Sequence, residues 1–152
     1  MLHQPDLTTL SHPAVGEIGR LLVSAEMLKR GIGVSKPELD TGVDLISHTG
    51  RETKLLQVKA KIGENCPSDK KAGAIGSKFS VSSKKPAGKG AASSHRYRSI
   101  GVDAFVFIRI SDTAIWIVPS DSMSSSWNIN LREDSEWRDA WHVLDGGQPR
   151  AA

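Results

Sequence analysis

The spacing of hydrophobic residues predicts one long helix near the start of the chain. Apolar side chains recur at helical spacing from Ile18 to Leu28, and Gly31 ends the run. Side chains three or four positions apart share one face of a helix, so this spacing is typical of an amphipathic helix. Ser11 suits the N-cap, and Pro13 suits the first turn, where its missing N–H costs nothing. We therefore expect a helix of about five turns.

Short apolar segments after this helix predict β-strands. A short strand is expected at Ile32 to Val34, a second near Val43 to Ser47, and a longer one near Lys54 to Ile62. Residues His48 to Arg51 read as a tight turn between the second and third strands. The sequence therefore predicts an antiparallel hairpin that packs on the helix.

The second half of the chain begins with a long connection and ends with regular elements. Residues 63–99 are rich in Gly, Ser, Lys and Pro and show no sustained period, which predicts a loop. VDAFVFIRI and TAIWIVP predict two strands, and SEWRDAWHVL predicts a short helix. The expected order is αβββ, loop, ββα. This order favours an α/β fold with a central mixed sheet flanked by helices, in a single domain over residues 1–152.

Composition narrows the class of protein. Hydrophobic residues make up 38% of the chain, and no apolar run approaches the roughly 18 to 20 residues of a membrane span. The N-terminal residues lack the charged and apolar regions of a signal peptide. Cys66 is the single cysteine and cannot form an internal disulfide. A cytoplasmic protein without a membrane partner is the expectation.

Charge is distributed unevenly along the chain. Residues 51–100 hold twelve Lys and Arg against three acids, a balance of +9, whereas residues 101–152 hold four against eight, a balance of −4. A basic segment of this kind is typical of a surface that meets phosphate backbone. The alternative is a solvated loop whose lysines only aid solubility.

Three polar residues of the predicted hairpin fit a metal site. Gln57 and Lys59 lie two positions apart and share a strand face, and Asp44 opens the neighbouring strand, so the three can converge. Mg²⁺ prefers oxygen ligands, and the Gln57 amide or the backbone carbonyl of Val58 can supplement a carboxylate. An ammonium group there can neutralise charge that develops on a phosphate. Glu17, on the helix over the hairpin, could supply a further carboxylate.

These residues also match the pattern of a known family. The sequence GEIGRLLVSAEMLKRGIGVSKPELDTGVDLI followed by LLQVKAK resembles the PD-(D/E)xK nuclease superfamily. That pattern is a helix-borne Glu, an Asp that opens one strand, and an acidic residue two positions before a Lys on the next strand. The matching set is Glu17, Asp44, Gln57 and Lys59. Glutamine departs from the acidic residue and is similar to the variant in the group I intron homing endonuclease branch.

The resemblance implies a restriction-endonuclease-like core and a DNA endonuclease that uses Mg²⁺ or Mn²⁺. Water would attack a phosphodiester directly, with Asp44 as the main metal ligand, Gln57 as a neutral oxygen ligand and Lys59 as the group that stabilises the transition state. Glu17 would assist the metal or orient water. Because a small domain covers little duplex, a homodimer or higher homo-oligomer on double-stranded DNA is expected.

Two other functions stay open at this point. A Holliday-junction-resolvase-like nuclease of the same superfamily would prefer branched DNA. Loss of an acid at Gln57 weakens cation binding, so a catalytically inactive nucleic-acid-binding protein is the other alternative. In each case, the cations and the aromatic residue expected to contact DNA are Lys61, Lys70, Lys71, Lys78, Lys84, Lys85, Lys89, Arg96, Tyr97 and Arg98.

Overall fold

The structure, a computed structural model, describes residues 6–39, 41–63, 76–81, 101–123 and 128–145. Its helix, α1, spans His12–Lys29. The Ser11 side chain caps it by accepting the N–H of Ala14, and Gly31 ends it with a positive φ of 73°. The expected helix is thereby confirmed. No helix in the described part of the chain is long and apolar enough to cross a membrane.

The buried face of α1 differs from the apolar run that revealed it. Val15, Gly19, Val23 and Met27 are buried, four positions apart, whereas Leu21 and Leu28 are exposed. Both sets have helical spacing. Periodicity therefore identifies the helix but does not by itself identify the face that packs on the sheet.

In the described part of the chain, seven strands form two sheets. They are β1 (Gly33–Ser35), β2 (Leu45–His48), β3 (Thr53–Lys61), β4 (Gly76–Ser80), β5 (Ala104–Arg109), β6 (Ala114–Pro119) and β7 (Asn128–Arg132). The larger sheet has the order β1-β2-β3-β5-β6, and β4 pairs with β7 in a second sheet. β3 and β5 run parallel, and every other pair is antiparallel. The α/β class, the mixed sheet and the β2–β3 hairpin are confirmed.

The predicted C-terminal helix is wrong. Residues 135–144 form turns and a short 3₁₀ helix at Trp141–Val143. Two backbone groups of this segment pair with β6: the Ile117 N–H donates to the Trp137 carbonyl at 2.9 Å, and the Asp139 N–H donates to the Ile115 carbonyl at 3.0 Å. The other backbone hydrogen bonds of the segment close local turns. Apolar residues at helical spacing here serve an irregular segment that covers the edge of the sheet.

Strands β4 and β7 were not expected from the sequence. β4 lies within the predicted loop 63–99, and β7 follows β6 in a segment with no predicted element. Together they cover one face of the main sheet, while α1 covers the other, so helices do not flank both faces as expected. Phe79 of β4 packs on Phe107 and Trp116, with ring centroids 5.1 and 5.9 Å apart. The main sheet therefore lies between a helix layer and a second sheet.

A buried arginine joins the two sheets. Arg109, at the end of β5, is 5% exposed. It donates to both carboxylate oxygens of Asp112 at 2.9 and 2.6 Å and to Ser77 Oγ of β4 at 2.8 Å, and it pairs with Glu133 at 2.6 Å. Buried charge is stable in a protein when it is paired and hydrogen-bonded in this way. Arg109 therefore connects β5 to the start of β4 and to the residue after β7.

Gly19 allows α1 to approach β3 closely, which gives a stability prediction. A methyl group at Gly19 would overlap Cβ of Ala60 and lie 3.1 Å from the Ile108 side chain. We expect Gly19→Ala to lower the free energy of unfolding by about 1–2 kcal/mol, because overpacking outweighs the roughly 1 kcal/mol that alanine adds to a helix. Chemical denaturation measures the change.

Gly16 provides the matched control for this substitution. It lies on the same helix, and a methyl group there would meet nothing within 4 Å. Gly16→Ala should therefore raise the free energy of unfolding by roughly 1 kcal/mol. Equal stability of the two variants would contradict a tight contact between α1 and β3.

Candidate functional site

A polar cleft of about 470 Å³ opens where β2 ends beside β3 and the first turns of α1. Asp44 lies just before β2, and its N–H donates to the Leu56 carbonyl at 2.9 Å. The β2–β3 register ends at the Leu45–Leu56 pair. The residues that line the cleft are Gly16, Glu17, Arg20, Lys36, Pro37, Glu38, Leu39, Val43, Asp44, Gln57 and Val58.

The carboxylate of Asp44 replaces a strand partner for β3. Its Oδ2 atom accepts the backbone N–H of Val58 at 2.8 Å and the Nε2 group of Gln57. β2 begins only at Leu45, so it has no residue opposite Val58. The Asp44 side chain therefore accepts the Val58 N–H that a longer β2 would have paired with. The hairpin therefore brings Asp44 and Gln57 together, as its turn predicts.

The Gln57 amide is buried with one atom unpartnered. The residue is 6% exposed, and its Nε2 group also lies 3.4 Å from the Val58 carbonyl oxygen. Its Oε1 atom is buried and has no hydrogen-bond partner. A buried polar oxygen without a partner is costly, by about 1–3 kcal/mol. Because Nε2 makes the contact with the Asp44 carboxylate, the oxygen is left for another partner, and a cation would satisfy it.

Glu17 lines the cleft, but an arginine holds its carboxylate. Arg20 donates from Nε to Glu17 Oε2 at 3.0 Å and from Nη2 to Glu17 Oε1. These hydrogen bonds lower the pKa of Glu17, and the charges of Arg20 and Lys36 lower it further. Sequence reasoning missed Arg20. Its position one helical turn after Glu17 was visible, but that spacing is also typical of ordinary surface ion pairs.

Lys59 lies in a neighbouring groove of about 800 Å³, whose lining also includes His12, Lys61, Lys78 and Asn128. Lys61 Nζ lies 3.4 Å from the Lys78 carbonyl oxygen and 5.3 Å from the centroid of the Phe79 ring. Lys61 therefore lies against β4, and Lys59 lines a groove that also includes the first residue of α1. Other expected DNA contacts fall outside the described residues: Lys70, Lys71, Lys84, Lys85, Lys89, Arg96, Tyr97 and Arg98.

The oxygen atoms of the cleft fit a hard divalent cation. In the described ranges, no group of three His, Cys, Asp or Glu side chains is placed to hold a metal. The cleft instead offers the Asp44 carboxylate, the unpartnered Gln57 amide oxygen and the Val58 carbonyl. A set made only of oxygens suits Mg²⁺ or Mn²⁺ better than Zn²⁺.

Comparison with known proteins decides the family. The PD-(D/E)XK endonuclease family model matches residues 11–144, a range that includes α1, both sheets and the cleft. This chain belongs to the PD-(D/E)XK endonuclease family. The resemblance carried by Glu17, Asp44, Gln57 and Lys59 is confirmed at the level of the superfamily.

A solved structure of a homing endonuclease shows the same fold. The bacterial homing endonuclease I-Ssp6803I matches over 90% of this chain and 94% of its own, with a TM-score of 0.64 and 20% identity. Hjc, a Holliday junction resolvase from Archaeoglobus fulgidus, matches over 90% of this chain and 92% of its own, with a TM-score of 0.48 and 14% identity. No curated protein matches by sequence. The PD-(D/E)XK fold of this chain is thus shared with a homing endonuclease.

Proposed function

We propose that this PD-(D/E)XK nuclease is a Mg²⁺-dependent DNA endonuclease, of the homing type, that hydrolyses phosphodiester bonds at the Asp44 cleft. The observation that carries the proposal is the buried, unpartnered Oε1 atom of Gln57 beside the Asp44 carboxylate. A protein core does not normally tolerate such an atom, and a bound cation would satisfy it. Membership of the family supports the reaction class, and the oxygen atoms of the cleft support the proposed location of hydrolysis.

The ligands of the cation would be Asp44, the Gln57 amide oxygen and the Val58 carbonyl. When bound, Mg²⁺ or Mn²⁺ would polarise the phosphate and lower the pKa of bound water. Gln57 is neutral, so the three ligands carry a single negative charge. This charge favours one cation over two, because each further cation would gain less Coulomb energy.

Lys59 acts from the groove side of β3. Direct attack of water on phosphorus forms one P–O bond and breaks the ester P–O bond, while negative charge builds on the phosphate oxygens. The Lys59 ammonium group offsets that charge, and a group that acts mainly in the transition state raises the rate without tightening ground-state binding. Lys61 and Lys78, in the same groove, contact flanking phosphates.

Double-stranded DNA is the proposed substrate, and a second copy of the chain is the proposed partner. One copy of the chain has one Asp44 cleft, and one cleft would cut one DNA strand. Two copies related by a two-fold axis would present two clefts to the antiparallel strands.

Plasmid DNA tests this function directly. We expect nicked or linear plasmid to form with Mg²⁺ or Mn²⁺ and no product to form with EDTA, while DNA binding in a gel shift persists in EDTA. Binding should weaken steeply with salt, because each phosphate contact releases counterions. Salt-sensitive binding without cleavage of supercoiled, linear or branched DNA would contradict the endonuclease and favour an inactive binding protein. Cleavage confined to branched DNA would favour a resolvase.

A further inference from the structure

The cleft contains one functional cation that the family pattern does not name. We propose that Arg20 binds a backbone phosphate of the DNA in the Asp44 cleft and that Glu17 positions the Arg20 guanidinium for this contact. The inference rests on the proposed function, since it identifies a substrate-binding group of the same site. It also gives Glu17 a role that differs from the one implied by the superfamily resemblance.

Burial distinguishes this ion pair from an ordinary surface pair. The Arg20 side chain is 16% exposed, whereas the Glu17 side chain is 51% exposed. On a solvated helix face the long arginine side chain normally extends into water. Here the arginine lies in the wall of the cleft, and the carboxylate holds it there from the outer side.

The hydrogen bonds of Arg20 leave part of its guanidinium available for a phosphate. Glu17 engages the Nε and Nη2 groups through its two oxygens. The Nη1 group lies outside this fork. Arginine binds phosphate best when its planar guanidinium is already oriented, because less side-chain entropy is then lost on binding.

Electrostatics gives a reason for a cation at this point. A phosphodiester that approaches Asp44 meets a like charge, and a nearby cation must offset the repulsion. Arg20 and Asp44 line the same cleft, and the hydrogen bonds to Glu17, with a smaller contribution from the charge of Asp44, raise the pKa of Arg20. Arg20 therefore contacts Glu17 directly and lines the same cleft as Asp44.

The same geometry separates two roles for Glu17. As a metal ligand, Glu17 would direct a carboxylate oxygen at the cation, whereas in the structure each oxygen accepts a hydrogen bond from Arg20. As a positioning residue, it acts on DNA through Arg20 and needs no cation. DNA binding measured without any divalent metal therefore distinguishes the roles.

The test measures fluorescence anisotropy of a labelled DNA duplex with the full chain in EDTA. We expect Arg20→Ala to raise Kd by about tenfold, the loss of one charge-assisted contact, and to reduce the salt slope by about one unit. Arg20→Lys keeps the positive charge but not the paired N–H groups of the guanidinium, so its loss of DNA affinity should be smaller than that of Arg20→Ala. Lys36→Ala removes an exposed cation from the same cleft and should weaken binding less than Arg20→Ala.

Glu17→Gln gives the sharpest test, because the expected change in DNA affinity is opposite to the change that charge alone would produce. The substitution removes a negative charge, which by simple electrostatics would tighten DNA binding. If Glu17 positions Arg20, binding in EDTA should weaken instead, by about two- to fivefold, because one amide oxygen cannot hold both N–H groups. Thermal melting of each variant checks that the fold is intact.

The outcomes separate this inference from the function on which it rests. Wild-type Kd for Arg20→Ala, or tighter binding by Glu17→Gln, overturns the Arg20 proposal even when the wild-type protein cuts DNA. Weaker binding by both variants supports the Arg20 contact even when the wild-type protein binds DNA without cutting it. A wild-type protein that binds no DNA overturns both proposals.

Discussion

Asp44→Asn should reduce DNA cleavage by about 10³-fold or more. Asp44 is the carboxylate that contacts both Gln57 and the backbone of Val58, and the variant loses its charge at the proposed cation site. Metal-assisted stabilisation of the transition state amounts to several kcal/mol, and each 1.36 kcal/mol corresponds to about tenfold in rate. Single-turnover cleavage of supercoiled plasmid with Mg²⁺ measures the loss.

The neutral side chain should leave the fold intact. Asparagine retains an oxygen that can accept the Val58 N–H, so the thermal melting temperature should change little. DNA affinity in EDTA should stay the same or improve, because a negative charge near the phosphates is removed.

Asp103 provides a matched control for Asp44. Its carboxylate also accepts a backbone N–H of β3, that of Leu55 at 2.7 Å, but it lies outside the lining of the cleft. Asp103→Asn should therefore cut DNA at the wild-type rate. Equal losses in the two variants would mean that support of β3, not the cleft, explains the effect at Asp44.

The largest expected effect on stability is that of Arg109→Met. The substitution keeps much of the buried volume but removes the hydrogen bond to Ser77 and the ion pairs to Asp112 and Glu133. Loss of one partner from a buried charge network costs about 3–5 kcal/mol. We expect about 3 kcal/mol, near the lower limit, because the two carboxylates are partly exposed and can rehydrate. Urea denaturation measures the difference.

Exposed Arg132 is the control for this substitution. It pairs with Asp134, and both side chains are largely exposed. Exposed ion pairs contribute little to stability, so Arg132→Met should leave the urea midpoint almost unchanged. A similar shift in both variants would show that the buried network has no special role.

The Arg109 network also gives a dependence on pH. The hydrogen bonds from Arg109 lower the pKa of Asp112, so the native state favours the ionised carboxylate more than the unfolded state does. This contribution to the free energy of unfolding is complete above the pKa of Asp112 in the unfolded chain, about 3.9. It is lost as the pH falls through the lower pKa of the native state. The stability difference between wild type and Arg109→Met should therefore shrink below about pH 4.

Local patterns predicted the part of the fold that holds the site. The α1 spacing and the short turn after His48 depend on neighbouring residues, and they are enough to predict that Asp44 lies beside Gln57. The same reasoning failed where distant backbone decided the outcome. Residues 135–144 have helical spacing, but the Trp137 carbonyl and the Asp139 N–H pair with β6, and the segment forms turns.

Strands β4 and β7 show a second limit of sequence reasoning. GSKFS and NINLR are too short for a secure period-two pattern, and each depends on a partner about fifty positions away. Arg20 was missed for another reason. Its spacing from Glu17 is common on exposed helices, and only the burial of its side chain sets it apart.

The contacts of Asp44 in the cleft join residues that lie close together in the sequence. The contacts from Asp44 to Gln57 and Val58 span 13 and 14 positions within one hairpin. By contrast, β3 ends at Lys61, and its parallel partner β5 begins only at Ala104. The stretch between them contains most of the excess positive charge of residues 51–100. No residue of that stretch takes part in the contacts of Asp44 with Gln57 and Val58. On the proposed function, substitutions in that stretch would alter nucleic-acid binding and leave the Asp44 contacts of the hairpin in place.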